Sequence, residues 1–521
     1  MKRGLGLGLG LLMSALAACT APVEEGGANA NDRTALGGTG EPLLTGVMEI
    51  APSGKFAVMQ RNSVTIVLDV EAKTYVEVPQ QLARIVISKT RDVAYVLFPD
   101  GSLAALDLAA GSKELWRAKD LFIDTSLLHV TDDDGTILLV NKTSAVAIDP
   151  TTGATRGSAE LPSGANYATF LPDGKKALIV GHTTFTAHKP NTPVALFDLT
   201  TASVSHVDVP NCEAPIAVLP DASRALLSPT FCEETRDSST PEDAWTNPDP
   251  VSIIDITPEA LTFVKNLPGF GPVALSPDGS RAVAYLDMER IDRSMFSDPK
   301  QIPGAGSPQY HLMVIDPKTL AFNLDPIGPA LPRFAMTRDG KGLLVDSSVK
   351  VTQRSTVRAG ASFSFTPTSI SSQGGVSASV FGENTPFGYF DIALGKFTGF
   401  AGPQAGLDRF VQLADGKTVI TLEKRTDGLG GLPSRIDTEA KKTVVLPGDY
   451  GTGVRDIGLL PDGKTMILRL RQPAASVNGA LYAQESYCYS LDAKTCTEGR
   501  VEYRDKVPFA TECAETSHDC W

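Results

Sequence analysis

The sequence predicts an all-β protein in which one four-stranded unit is written many times over. Three observations carry this. An apolar strand, a turn rich in Pro, Asp and Gly and a second apolar strand recur along the chain, as in VALSPDGSRAVAY (Val273 to Tyr285). Downstream of each such hairpin an apolar run ends in Asp and is followed by a further strand, as in HLMVIDPKT. Helix signatures are scarce, while Val, Thr, Gly, Pro and Asp-rich turns dominate. Repeats of about 40 residues with four strands each indicate a β-propeller, because such a unit cannot bury both faces of its sheet alone and must stack until a ring closes.

The hairpins begin at Met48, Arg84, His129, Ala168, Ile216, Val273, Phe334, Phe410 and Ile457. The apolar runs close on Asp69, Asp107, Asp149, Asp198, Asp255, Asp316, Asp391, Asp437 and Asp492. Asp suits these turns because its carboxylate caps nearby backbone N–H groups, and Gly supplies positive φ. Nine units are read, whereas propellers usually have about four to eight blades. The expectation is one ring of about eight blades across residues 42–504, with nine as the alternative and the terminal units sharing a blade at closure. Asp132-Asp133-Asp134-Gly135 stands where Ser-Pro-Asp-Gly stands elsewhere. It lacks the spaced ligands and distal Glu of a Ca²⁺ loop, so it reads as a turn.

The best-formed units, VALSPDGSRAVAY with HLMVIDPKT and PVALFDLTT with IAVLPDASRALL, resemble the YVTN and TolB-type propeller repeats of bacterial surface and periplasmic proteins. The resemblance covers about Met48 to Tyr503. AYVL at Ala94 is the nearest approach to the YVTN tetrapeptide, and the regularly placed Gly-His and Trp-Asp pairs of WD repeats do not occur. Some YVTN-like propellers are similar to lactonases that hold a divalent metal at the channel mouth; nothing here matches that arrangement residue by residue.

The N-terminus has its own logic. Lys2 and Arg3 precede an apolar run, Gly4 to Leu16, then Ala17-Ala18-Cys19. A basic start, an apolar segment too short for a usual transmembrane helix and small residues at the cut describe an export signal over 1–18. Leu16-Ala17-Ala18-Cys19 looks like a bacterial lipobox, which implies cleavage before Cys19 and its acylation. Thr20 follows rather than Asp, which favours the outer membrane. Residues 19–41, rich in Gly, Ala and Asn, read as a tether reaching roughly 25 Å. Removal of Lys2 and Arg3 takes the formal net charge from −13 to −15. So acidic a chain repels phosphate backbones, and no nucleic-acid partner is expected.

Six further cysteines remain: Cys212, Cys232, Cys488, Cys496, Cys513 and Cys520, the last two in a tail over 505–521. An even number in an exported chain suggests disulfides. Proximity in sequence suggests Cys212–Cys232, Cys488–Cys496 and Cys513–Cys520. Metal binding is the rival reading, although no CxxC pair occurs.

Departures from the repeat locate the expected function. Successive signature Asp residues are 38 residues apart at the closest (Asp69 to Asp107) and 75 at the widest (Asp316 to Asp391). The excess falls between second and third strands, at residues 182–193, 229–250, 287–309, 347–386, 423–433 and 471–485. Strands alternate in direction, so all these insertions rim one face of the disc, together with the crossings between blades. Candidate binding residues on that face are His182 and His188, which are also candidate metal ligands; Glu233, Glu234, Asp237 and Trp245 in an acidic loop; and Phe363, Phe365 and Phe381 in a Ser/Thr-rich insertion.

No GxSxG elbow, HExxH, Walker loop or dinucleotide fingerprint appears in the mature chain. Three tryptophans are too few for the Trp-containing docking motifs of quinone-binding propellers. The expected function is therefore a lipid-anchored envelope module that binds proteins or glycans through its insert-bearing face, with no cofactor expected but a divalent metal possible. The alternative is a metal-dependent hydrolase at the channel mouth, and a third reading is a surface-layer component.

Overall fold

A computed structural model describes the chain from residue 48 to residue 508, apart from segments between strands, of which the longer are 229–249, 347–386, 400–409, 423–432, 446–453 and 489–500. The described residues form antiparallel sheets almost to the exclusion of helix: eight sheets of four strands and one of five. Each sheet is made of strands consecutive in sequence, and each coincides with one repeat. We number them as blades: 1 (48–78), 2 (84–118), 3 (125–160), 4 (165–209), 5 (216–267), 6 (270–328), 7 (333–399), 8 (410–445) and 9 (454–508).

First strands pack beside first strands from blade 1 to blade 7 and from blade 8 to blade 9, and that of blade 1 (Met48–Ile50) lies against that of blade 9 (Val454–Leu459). Among the described residues the ring therefore closes between whole blades, with no strand exchanged between the two ends. Closure is tight. A Cβ at Gly54, in the first turn of blade 1, would come within 2.9 Å of Leu460 beside the corresponding turn of blade 9. At φ +73° that position favours Gly on both counts.

Alternation of side chains explains why middle strands read as unbroken apolar runs. In Ala282–Asp287 of blade 6, Ala282 and Ala284 pack with Leu226, Val251 and Ile253 of blade 5. Val283 and Tyr285 instead join Phe334, Met336 and Leu343 of blade 7. Each inner strand is thus buried on both faces, whereas fourth strands lie at the rim and expose Val76, Leu115, Val264 and Val444.

The repeated Asp residues are architectural. Asp149 Oδ1 accepts from Thr151 N (2.8 Å) and Thr152 N (3.0 Å), Asp198 Oδ1 from Thr200 N (2.9 Å) and Thr201 N (2.8 Å), and Asp437 Oδ1 from Glu439 N (3.0 Å) and Ala440 N (2.8 Å). Asp278 caps the hairpin turn of blade 6 through Ser276 Oγ (2.7 Å) and Ser280 N (2.9 Å). Hydrogen bonds to the ionised form hold Asp278 at about 2, led by that of Ser276; at Asp149, also about 2, the leading one comes from Arg156. Carboxylates held so low stay charged and do not work as acid–base groups near neutral pH.

One turn does more than turn. Asp134 occupies the place taken by Gly279 and Gly340 in their repeats and has their left-handed backbone, φ +58°. Its buried carboxylate reaches into blade 2, where Oδ2 accepts from Ser88 Oγ (2.6 Å), Arg91 Nε (3.0 Å) and Thr90 Oγ1 (3.2 Å), with Tyr95 Oη at 3.4 Å. Where blade 6 meets blade 5 there is no such room, because a Cβ at Gly279 would lie 2.7 Å from Pro220. Blade 2 carries Ser-Lys-Thr-Arg in place of Pro-Asp-Gly, and its hydroxyls fill the space with donors.

Candidate binding face

The strand order makes the two faces of the disc unequal. First-to-second and third-to-fourth turns lie on one side and are tight in blades 1 to 8; in blade 9 residues 489–500 join the third strand to the fourth on that side. Second-to-third loops and crossings between blades lie on the other, which we call the loop face. Residues 182–193, 287–309 and 471–485 all extend that face, and the segments 229–249, 347–386 and 423–432 join second to third strands and so leave from it too.

Two of the extensions are β-ribbons. In blade 4, Thr184–Thr186 folds back on the long third strand Lys189–Asp198, pairing Thr184 with Asn191 and Thr186 with Lys189. In blade 9 the second and third strands, Met466–Val477 and Ala480–Cys488, remain paired out to Val477 opposite Ala480, whereas the first strand stops pairing at Leu470. The fourth strand, Val501–Pro508, follows them as far as Tyr482. A three-stranded ribbon therefore stands beyond the blade. The loop of blade 6 carries two 3₁₀ turns, Arg293–Met295 and Pro299–Gln301.

The best-built floor on this face lies where blade 4 meets blade 5. Thr192, fully buried, donates from Oγ1 to the Asn211 carbonyl in the crossing between the blades (2.6 Å). With that proton committed, the Thr183 hydroxyl donates to Thr192 Oγ1 (2.9 Å) and accepts from Glu213 N (2.6 Å). Glu213 Oε2 returns to Thr183 N (3.3 Å) and to His182 Nδ1 (3.0 Å). Asn211, also fully buried, donates from Nδ2 to Pro250 O (2.7 Å) and Ser252 Oγ (2.8 Å), and its Oδ1 accepts from Cys212 N (2.8 Å). A satisfied buried network of this kind fixes one geometry, since any unmade bond would leave a desolvated polar group. The ribbon and the crossing are held as one rigid unit.

Cys212, 5% exposed, is disulfide-bonded. Cys232 lies outside the described residues. His182 and Glu213 are partly exposed, so their contact adds little to stability. Burial raises the phenol of Tyr167, and the charge of Glu213 raises it further.

A different feature lies in blade 6. His311, 3% exposed, stands opposite Leu286 in the pairing of second and third strands. Its Nδ1 has no hydrogen-bond partner among the described residues, nor has Ser228 Oγ of blade 5. Burial lowers the pKa of His311. His129 of blade 3, edge-on to Phe170 at 6.3 Å, is held at about 4 by desolvation first and then by the positive charges of Arg84 and Lys89. Both rings are neutral at pH 7.

Of the residues singled out in the sequence, His182 stands at the base of the blade 4 ribbon and Cys212 in the adjoining crossing. Cys488 closes the third strand of blade 9. Cys19, His188, Cys232, Glu233, Glu234, Asp237, Trp245, Phe363, Phe365, Phe381, Cys496, Cys513 and Cys520 lie outside the described residues. Sequence reasoning missed Thr183, Thr192, Asn211 and Glu213. The one available signal was Asn211-Cys212-Glu213 beside a cysteine already suspected. Among the described residues no group of three or more His, Cys, Asp or Glu could hold a metal ion, and no helix is long and apolar enough to cross a membrane.

No protein-family description matches the chain, and no characterised protein matches it by sequence. Among solved structures it is similar to one titled as the eukaryotic initiation factor (13% identity, TM-score 0.40, covering 75% of this chain and 92% of that one). It is also similar to a hydrazine synthase of Kuenenia stuttgartiensis (14%, 0.36, 57% and 91%) and to a chain of the mitotic checkpoint complex (14%, 0.34, 46% and 72%). Likenesses this distant say nothing about activity.

Proposed function

We propose that this protein is an exported, lipid-anchored β-propeller of the bacterial cell envelope that binds an envelope protein or glycan through its loop face. One observation supports the reading: every enlargement between second and third strands leaves from the same face, and the elaborations described there are built rather than loose. Paired ribbons and a buried polar network hold a surface ready for a partner, which lowers the ordering entropy of binding. The polar groups that surface offers, His182, Glu213 and the ribbon threonines, donate and accept hydrogen bonds and include no activated nucleophile. The anchor is supported by the lipobox-like Leu16-Ala17-Ala18-Cys19.

The test is co-purification of the acylated protein in mild detergent, against variants with residues 184–191 or 347–386 replaced by a short turn. A partner that is retained by the wild type, lost with either variant and kept by a turn-face variant such as Glu259→Lys supports the reading. A partner indifferent to all loop-face changes, or none under any condition, overturns it.

A further inference from the structure

The direction of the first strand decides how the ring is held. Met48–Ile50 runs into the tight turn at Ala51–Gly54, so Met48 lies at the opposite end, on the loop face. As an innermost strand beside that of blade 9, it also lies at the channel mouth. The chain that precedes it therefore joins the ring on the face that carries the ribbons. The last strand, Val501–Pro508, runs toward the same face.

We infer that the loop face is the membrane-proximal face, held toward the bilayer with the tight-turn face directed away. The inference rests on acylation of Cys19. From Cys19 to Met48 is 29 residues, whose root-mean-square span as a Gly-rich coil is about 30 Å. To present the opposite face, the tether must cross a four-stranded blade, about 15 Å at the usual strand spacing, and then descend a strand length of about 17–20 Å. That path already matches the coil's root-mean-square span, so presenting the opposite face requires a stretched tether, whereas the loop face is presented without stretching it. The net charge of −15 repels an anionic headgroup surface, so the disc stands off the lipid. A gap of about the tether's span is left between loop face and bilayer, and a binding partner must be of a kind that enters it, such as a protein seated in the same membrane.

The test uses the full acylated chain in liposomes whose headgroups carry an energy-transfer acceptor. A fluorescent amino acid is introduced at Thr186 on the loop-face ribbon or at Glu259 in a tight turn of blade 5, both exposed. With the faces separated by about 17–20 Å, transfer from position 186 is expected to exceed that from 259 by about twofold or more. Equal transfer, or stronger transfer from 259, overturns the orientation alone, provided that the protein floats with the liposomes and Cys19→Ser does not. If the wild type fails to float, or Cys19→Ser floats as well as it does, the anchor fails and the orientation falls with it.

Discussion

Replacing Asp134 by glycine, the residue its own repeat position favours elsewhere, should destabilise the protein. A repeat-consensus argument predicts the reverse, since Gly relieves a left-handed non-Gly backbone by about 1 kcal/mol. Against this stands a carboxylate 8% exposed that accepts from four side chains of the neighbouring blade. The short bond from Ser88 is the strongest, at about 2 kcal/mol for a neutral donor to a buried charge. The longer contacts of Thr90 and Tyr95 are worth about half of that each. Arg91 is 40% exposed, so its ion pair adds less than about 1 kcal/mol. After the backbone relief, Asp134→Gly should lose about 3 kcal/mol, and Asp134→Asn, which keeps the turn and loses the charge, about half as much. Urea unfolding of the two variants reads the loss. Tyr95 gives an independent local report. Burial first, then the Asp134 charge, push its phenol up to about 12, so in Asp134→Gly it should ionise at lower pH while remaining above 10. A variant at least as stable as wild type, with Tyr95 titrating unchanged, would refute the account of the latch.

Other perturbations follow from the same geometry. His129, with its folded pKa lowered from 6.5 to about 4, stabilises the fold only while neutral, so stability is lost as pH falls below 6.5 toward 4. Between pH 7 and 5 the loss is about 2 kcal/mol, and His129→Gln should flatten that part of a melting-temperature profile. The seam between blades 2 and 3 should also fail at Gly153. Its φ is +73° and a Cβ there would lie 2.5 Å from the Trp116 ring, so Gly153→Ala should cost about 2–3 kcal/mol and alter Trp116 fluorescence. On the loop face, Asn211→Ala leaves Pro250 O and Cys212 N without their partner, and should cost about 2–3 kcal/mol and speed amide exchange in the crossing. Thiol labelling of unreduced, unfolded protein should leave Cys212 unmodified, and uptake of label there would contradict its disulfide.

Much of the fold was legible in the chain because its signals are local. A hairpin needs an Asp cap and a left-handed turn residue within five positions, and the strands pack on both faces, so each leaves a continuous apolar run. Repetition then implies a ring. Chain length alone decides neither how many blades the ring holds nor whether its ends interlock. Nine repeats could have closed by sharing a sheet, and they close instead by packing Gly54 against Leu460, a contact 406 positions apart in sequence. Likewise Asp134 read as one more turn residue, because its partners Ser88, Arg91 and Tyr95 belong to another unit. The same limit applied at the loop face. Strand alternation alone placed the insertions on one side and brought the start of the ring to that side. The floor beneath them depends on Thr183, Thr192, Asn211 and Glu213, ordinary polar residues until folding takes them out of water and obliges each to find a partner.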